Sequence, residues 1–197
     1  MEKSLIKEVI ELYKENKWMD IIDKNPNVTN EEARKLLWVW PSFKNLEFIK
    51  EKLNEFNMNG ISSIGCGCGL LEWIISKSTR LEVIGYEINE IWWTSKYCIP
   101  QFINLTYVEN NNYILKSNLA LVFCYFNDSE AFNDYVNNYE GNLIFIIGPG
   151  EGRGTHTDPS PFKPNFQTNN WVLNDYQEIK TTKDFIAVYI RYNNLIC

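Results

Sequence analysis

Apolar positions along the chain fall into two regimes. Through residues 1–59 they recur at helical spacing, and Leu5, Ile6, Val9, Ile10, Leu12 and Tyr13 form one face of a first helix. After a break at Asn25-Pro26, Thr29 and Glu32 have the spacing of a capping box. They predict a second helix that runs towards Leu37 and ends before Pro41. Leu46, Phe48, Ile49 and Leu53, set among lysines and glutamates, predict a third that ends near Asn59-Gly60. From Ile61 onward, short apolar runs alternate with helical patterns, as in a mostly parallel sheet with helices on both faces. Strands are expected at Ile61–Ile64, Leu81–Tyr86, Phe102–Val108, Leu119–Tyr125 and Leu143–Ile147, with helices beginning near Leu70, Ile91 and Ser129. The link from Asn110 to Asn118 is too polar and short for a helix. Gly- and Pro-rich sequence after Gly148 predicts a long loop. Trp171–Ile179 and Asp184–Tyr192, parted by the polar Lys180-Thr181-Thr182-Lys183, predict an antiparallel hairpin that closes the sheet. The expected architecture is one α/β domain: a helical segment over 1–59 and a seven-stranded sheet over 60–197.

Composition narrows the partners. A chain of 197 residues with 45% hydrophobic and 22% charged residues has the make-up of one globular domain. A formal charge of -6 gives no general attraction to phosphate backbones, so a small molecule or a protein is expected as partner in preference to nucleic acid. The opening segment MEKSLIKEVIELYKENK mixes charges with apolar residues and lacks a membrane-spanning run, so a cytoplasmic protein without membrane attachment is expected. Five cysteines, an odd number, argue against a disulfide framework. Cys66 and Cys68 are not accompanied by a second Cys/His cluster at zinc spacing, so no metal is expected. Oligomeric state is not encoded in any pattern of this kind.

The densest candidate chemistry lies at Gly65-Cys66-Gly67-Cys68-Gly69, between a predicted strand and a predicted helix. Glycines there permit a tight turn and let backbone N–H groups approach a ligand closely. Glu87 follows eighteen positions after Gly69, at the tip of the second predicted strand. A carboxylate at that position can accept both hydroxyl hydrogens of a ribose. A nicotinamide dinucleotide would use similar parts, but its G-x-G-x-x-G pattern needs glycine where this chain has Leu70.

With this combination the sequence resembles the class I, Rossmann-like S-adenosylmethionine-dependent methyltransferases, from about Ile61 to Tyr192 and including the final hairpin. The resemblance implies S-adenosylmethionine as cofactor. Gly65, Cys66, Gly67 and Gly69 would line its methionine and ribose portions, Glu87 would bind the ribose, and Ile88 would lie near the adenine. Asn110 would approach the adenine amine, and the stretch Tyr125, Phe126, Asn127, Asp128 would face the reacting methyl group. One departure matters: the family usually has an acidic residue two positions before the first glycine, where this chain has Ser63. That acid helps to hold the cofactor's ammonium, so weaker binding or a replacement contact from elsewhere is implied.

Candidates for the acceptor side are less tightly drawn. His156, the only histidine, titrates near neutrality and is a candidate base, against the plainer reading of a solvated loop histidine. Asp128 is a second candidate, and Glu151 and Arg153 are candidates to orient a polar substrate. Trp38, Trp40, Trp92 and Trp93 offer aromatic faces to a sulfonium or a planar substrate, with core packing as the competing use. The functional expectation is methyl transfer to a small molecule or a protein side chain. A cofactor-binding pseudoenzyme acting through a partner is the alternative, motivated by Ser63 and the unassigned base.

Overall fold

The computed structural model describes residues 4–26, 30–109 and 113–192. Four helices come first: α1 (Leu5–Lys14), α2 (Trp18–Asp23), α3 (Glu31–Leu36) and α4 (Phe43–Glu55). The remainder alternates as β1 (Gly60–Ile64), α5 (Leu70–Thr79), β2 (Glu82–Glu87), α6 (Glu90–Trp93), β3 (Leu105–Tyr107), β4 (Ala120–Cys124), α7 (Ser129–Asn137) and β5 (Leu143–Pro149). The chain then runs through an irregular segment into β6 (Trp171–Glu178) and β7 (Asp184–Arg191). One seven-stranded sheet results, in the order β3-β2-β1-β4-β5-β7-β6. β1 to β5 are parallel, and β7 inserts antiparallel between β5 and β6.

Alternation along the strands builds two cores. Ile61, Ala120, Val122, Leu143, Phe145 and Ile147 face the helical side formed by α1, α3, α4 and α5. Ile64, Leu121, Phe123, Ile144 and Ile146 face α7 and the segment carrying Phe166 and Trp171. The central strands are buried on both faces, as their continuous apolar runs require. Strand order reverses at β1, since β2 and β3 follow on one side of it and β4 and β5 on the other. A crevice therefore opens at the carboxyl ends of β1 and β4, where such sheets bind ligands.

Several local expectations are corrected. The third strand is only Leu105–Tyr107, because Phe102 leaves the sheet to donate its backbone N–H to the Cys68 carbonyl (2.8 Å) and pack edge-on against Tyr13. Thr29 lies outside the described residues, and α3 is capped by Asn30, whose side chain accepts from the Ala33 N–H. Glu32 instead accepts from the Ser4 hydroxyl and the Ile6 N–H, tying α3 to the start of α1. α4 has its own capping box, Ser42 with Asn45. Asn45 also donates to Gln177 and to the Glu178 carbonyl, which fixes α4 to β6. The six-residue α2, its Ile21 and Ile22 buried, was not expected. Asn110 lies outside the described residues.

Candidate functional site

Gly65, Gly67 and Gly69 all adopt left-handed backbone conformations, with φ of 66°, 63° and 77°. The conformation alone favours glycine, and the surroundings add to it. A Cβ on Gly69 would lie 2.4 Å from Ile103 Cγ1, and one on Gly65 would touch the Phe126 ring at 3.0 Å. The turn is pinned to the tip of β2: Gly65 N–H donates to the Tyr86 carbonyl (2.9 Å), and Gly67 N–H donates to Glu87 Oε1 (2.6 Å). Glu87 Oε2 accepts from the Ile88 N–H (3.3 Å). Burial raises the Glu87 carboxyl above its ordinary value, and these backbone bonds partly offset the rise. Each carboxylate oxygen keeps further acceptor capacity for a ligand hydroxyl.

Cys66 and Cys68 fill space rather than form a pair. Gly85 leaves room for the Cys66 thiol, whose sulfur would lie 2.6 Å from a Cβ placed there. Cys68 donates to the Leu36 carbonyl (3.4 Å). Burial pushes the Cys66 thiol up and the Cys68 thiol up to about 12, so both are protonated at neutral pH.

Behind the turn sits a carboxylate that sequence reasoning did not single out. Glu72, in the first turn of α5, is 1% exposed and lies against Ser63, whose hydroxyl donates to Oε1 at 2.7 Å. Its Oε2 has no hydrogen-bond partner among the described residues. Burial raises its carboxyl to about 7, the Ser63 bond working in the opposite direction. The signal was present in the sequence as one charge inside the apolar run Leu70-Leu71-Glu72-Trp73-Ile74-Ile75.

Three adjoining cavities run along the crevice. The first, about 300 Å³, is lined by Ile64, Glu87, Ile88, Val108 and Phe126, with Asp128 at its rim. It shares Gly65 with a second of about 100 Å³, which holds the glycine turn, Glu72, Trp93 and Cys124. That one shares Arg34, Leu37, Trp38 and Val39 with a third of about 450 Å³. Trp40, Tyr125, Arg153 and Asp184 line the third.

The third cavity has a fixed polar wall. Tyr125 leaves β4 with φ 52°, which turns its ring onto the exposed Trp38 in a stack with centroids 5.3 Å apart. Its hydroxyl donates to Asp184 Oδ1 (2.6 Å), while Arg153 Nε donates to Oδ2 (3.0 Å). Burial and the neighbouring Asp184 push the Tyr125 phenol well above its ordinary range, so it is a donor and not a phenolate. Asp184, 2% exposed, is the organising charge of this wall and was missed because it reads as the first residue of a strand after a polar turn.

The expected residues are thus brought together in part. Gly65, Cys66, Gly67, Glu87, Ile88 and Phe126 meet around the first two cavities, and Tyr125 and Arg153 meet in the third, whereas Gly69 lines none of them and packs against Ile103. Asp128 caps α7, accepting from the Ala131 N–H (3.0 Å), and faces the cavity of Ile88 instead of the one holding Tyr125. Trp40 is buried in the helical core and donates its ring N–H to the Ile22 carbonyl (3.4 Å), with one edge on the third cavity. Trp93 stands over Gly67, whereas Trp92 is half exposed on the outer side of α6 and lines none of the three. Glu151 and His156 are exposed and also line none of them.

No protein-family model matches the sequence, and no curated protein matches it. Solved structures do. An O-methyltransferase from Bacillus cereus in complex with S-adenosylhomocysteine aligns at 12% identity over 97% of this chain and 92% of its own, with a TM-score of 0.53. Magnesium protoporphyrin IX methyltransferase from Synechocystis PCC 6803, with the same ligand bound, aligns at 11% identity over 94% of this chain and 99% of its own, with a TM-score of 0.50. What is shared at these identities is the fold.

Proposed function

We propose that this chain, which has the class I, Rossmann-like methyltransferase fold, is an S-adenosylmethionine-dependent methyltransferase acting on a small molecule or a protein side chain. The observation that carries this reading is the succession of three neighbouring cavities along the glycine turn, each sharing lining residues with the next. Their order matches adenosine, amino-acid moiety and acceptor. Ile88, Val108 and Phe126 offer an apolar slot for a purine, with Glu87 at its inner end for the ribose hydroxyls. Gly65 borders both the slot and the turn, where a side chain would press on the Phe126 ring. The buried Glu72 oxygen without a partner supports a fit to the cationic head of the cofactor.

The cofactor supplies a methyl group on a positively charged sulfur, open to in-line displacement. The chain's contribution is positioning, which can account for much of the acceleration in such a transfer. Trp38, which lines both the second and the third cavity and is stacked on Tyr125, presents an aromatic ring at their junction, where a cationic centre is favoured. The Tyr125, Asp184 and Arg153 network gives the acceptor cavity a rigid polar wall, and a volume of about 450 Å³ is within the range of small-molecule sites. Asp184 lines this cavity with each of its oxygens already accepting a bond, from Tyr125 and from Arg153, so its part is to hold the wall in place. The pseudoenzyme alternative rested on Ser63 and on the unassigned base, and Glu72 beside Ser63 weakens the first of these motives.

Calorimetric titration with S-adenosylhomocysteine tests the reading, with NADH as control and Glu87→Ala alongside. The expected outcome is saturable binding of the first ligand only, weakened at least about tenfold by the substitution, as for loss of hydrogen bonds to a charged group. Binding of NADH alone, or of neither ligand by folded protein, would overturn it.

A further inference from the structure

Glu72 is held where a carboxylate is expensive. Leu70, Leu71, Trp73, Ile74 and Ile75 around it on α5 are all buried, so its neighbours on the helix offer it no solvent. Ser63 on β1 satisfies one oxygen, the other has no partner among the described residues, and the residue lines the 100 Å³ cavity. A buried polar atom left unpaired costs folding free energy, and a chain without use for it could replace it with leucine. The groups facing it do not neutralise it: Glu87 on β2 opposes its ionisation, while Cys66 and Cys68 in the turn and Cys124 on β4 are thiols whose own ionisation burial and Glu72 disfavour. Arg34 and Lys35 of α3 line the far side of the same cavity and are exposed.

Resting on the cofactor reading above, we propose that Glu72 is the receptor for the cofactor's ammonium group, supplied from helix α5 in place of an acid on β1, and that binding expels a proton from it. Ser63 then has a positive role, fixing Oε1 and leaving Oε2 for the ligand. The proton balance is simple. In the free protein near neutral pH the carboxyl is partly protonated; on binding, the ligand's ammonium keeps its protons and the carboxyl releases its own to buffer. Only ligands that carry the amino-acid moiety are subject to this, because the adenosine slot is a separate cavity.

The probes are S-adenosylhomocysteine and 5′-methylthioadenosine, which share the adenosine and differ in the amino-acid moiety. With wild-type protein, the affinity for the first should fall about tenfold from pH 8 to pH 6, following ionisation of a carboxyl at about 7, while the second stays constant. Glu72→Gln, which keeps the size of the side chain, should weaken the first ligand at least about tenfold at pH 8, abolish its pH dependence and leave the second unaffected. Ser63→Ala should retain binding and move the pH midpoint upward, since it removes the bond that favours the charged form. Unchanged affinity of Glu72→Gln for S-adenosylhomocysteine, while it binds methylthioadenosine normally, would overturn the proposal and leave the cofactor reading standing. Failure of folded wild-type protein to bind either nucleoside would overturn both.

Discussion

If Glu72 is kept for binding, it should weaken the fold, and the size of that effect follows from its burial. Its carboxyl titrates near 4.5 when free in water and at about 7 in the folded protein, chiefly through desolvation. A folded-state value above the unfolded one means that the native protein binds the extra proton more tightly. Below about pH 4.5 both states are protonated and the group has no effect; as the pH rises towards 7 the unfolded chain ionises first and gains stability relative to the native state. The full penalty, reached above about pH 7, is roughly 3 kcal/mol. Glu72→Gln is neutral at every pH and can keep a hydrogen bond to Ser63. In urea titrations without ligand, the variant should gain on the wild type by about 2 to 3 kcal/mol between pH 5 and pH 8. Parallel stability profiles for the two proteins would refute the reasoning, because they would mean that Glu72 is solvated or already paired in the native state.

Two further substitutions separate turn from wall. Gly69→Ala forces a side chain into a left-handed conformation and against Ile103, so denaturant unfolding should register a loss of about 2 to 4 kcal/mol, and a loss under about half a kilocalorie would contradict the crowding described here. Asp184→Asn keeps the shape of the buried wall but removes the charge facing Arg153, and should lower stability by about 1 to 3 kcal/mol. Because Asp184 lines only the third cavity, calorimetry should find S-adenosylhomocysteine affinity unchanged in that variant.

The parts of the fold that were legible in the sequence are those governed by local alternation. β1, β4 and β5 are buried on both faces and read as short apolar runs, and the polar Lys180-Thr181-Thr182-Lys183 between two strand-like runs marked the hairpin. The glycine turn was visible because its three left-handed residues need glycine whatever the ligand. Phe102 was misread as strand because its burial comes from Tyr13, nearly ninety residues away, and not from sheet neighbours. The carboxylate of Glu72 escaped notice because a single acid in a helix usually faces water, and only the packing of α5 against β1 encloses it. The wall around Asp184 joins residues from β4, the loop after β5 and β7, a proximity that no spacing along the chain reveals.

The most direct test of the central claim is transfer itself. Purified protein would be incubated with S-adenosylmethionine labelled on the methyl group and fractionated cell extract, with Glu87→Ala as the blank. The account predicts label in a small-molecule or protein fraction with wild-type protein and a loss of most of that signal in the variant. Tight cofactor binding with no label transferred to any fraction would contradict it, and would make the chain a cofactor-binding protein that does not turn over.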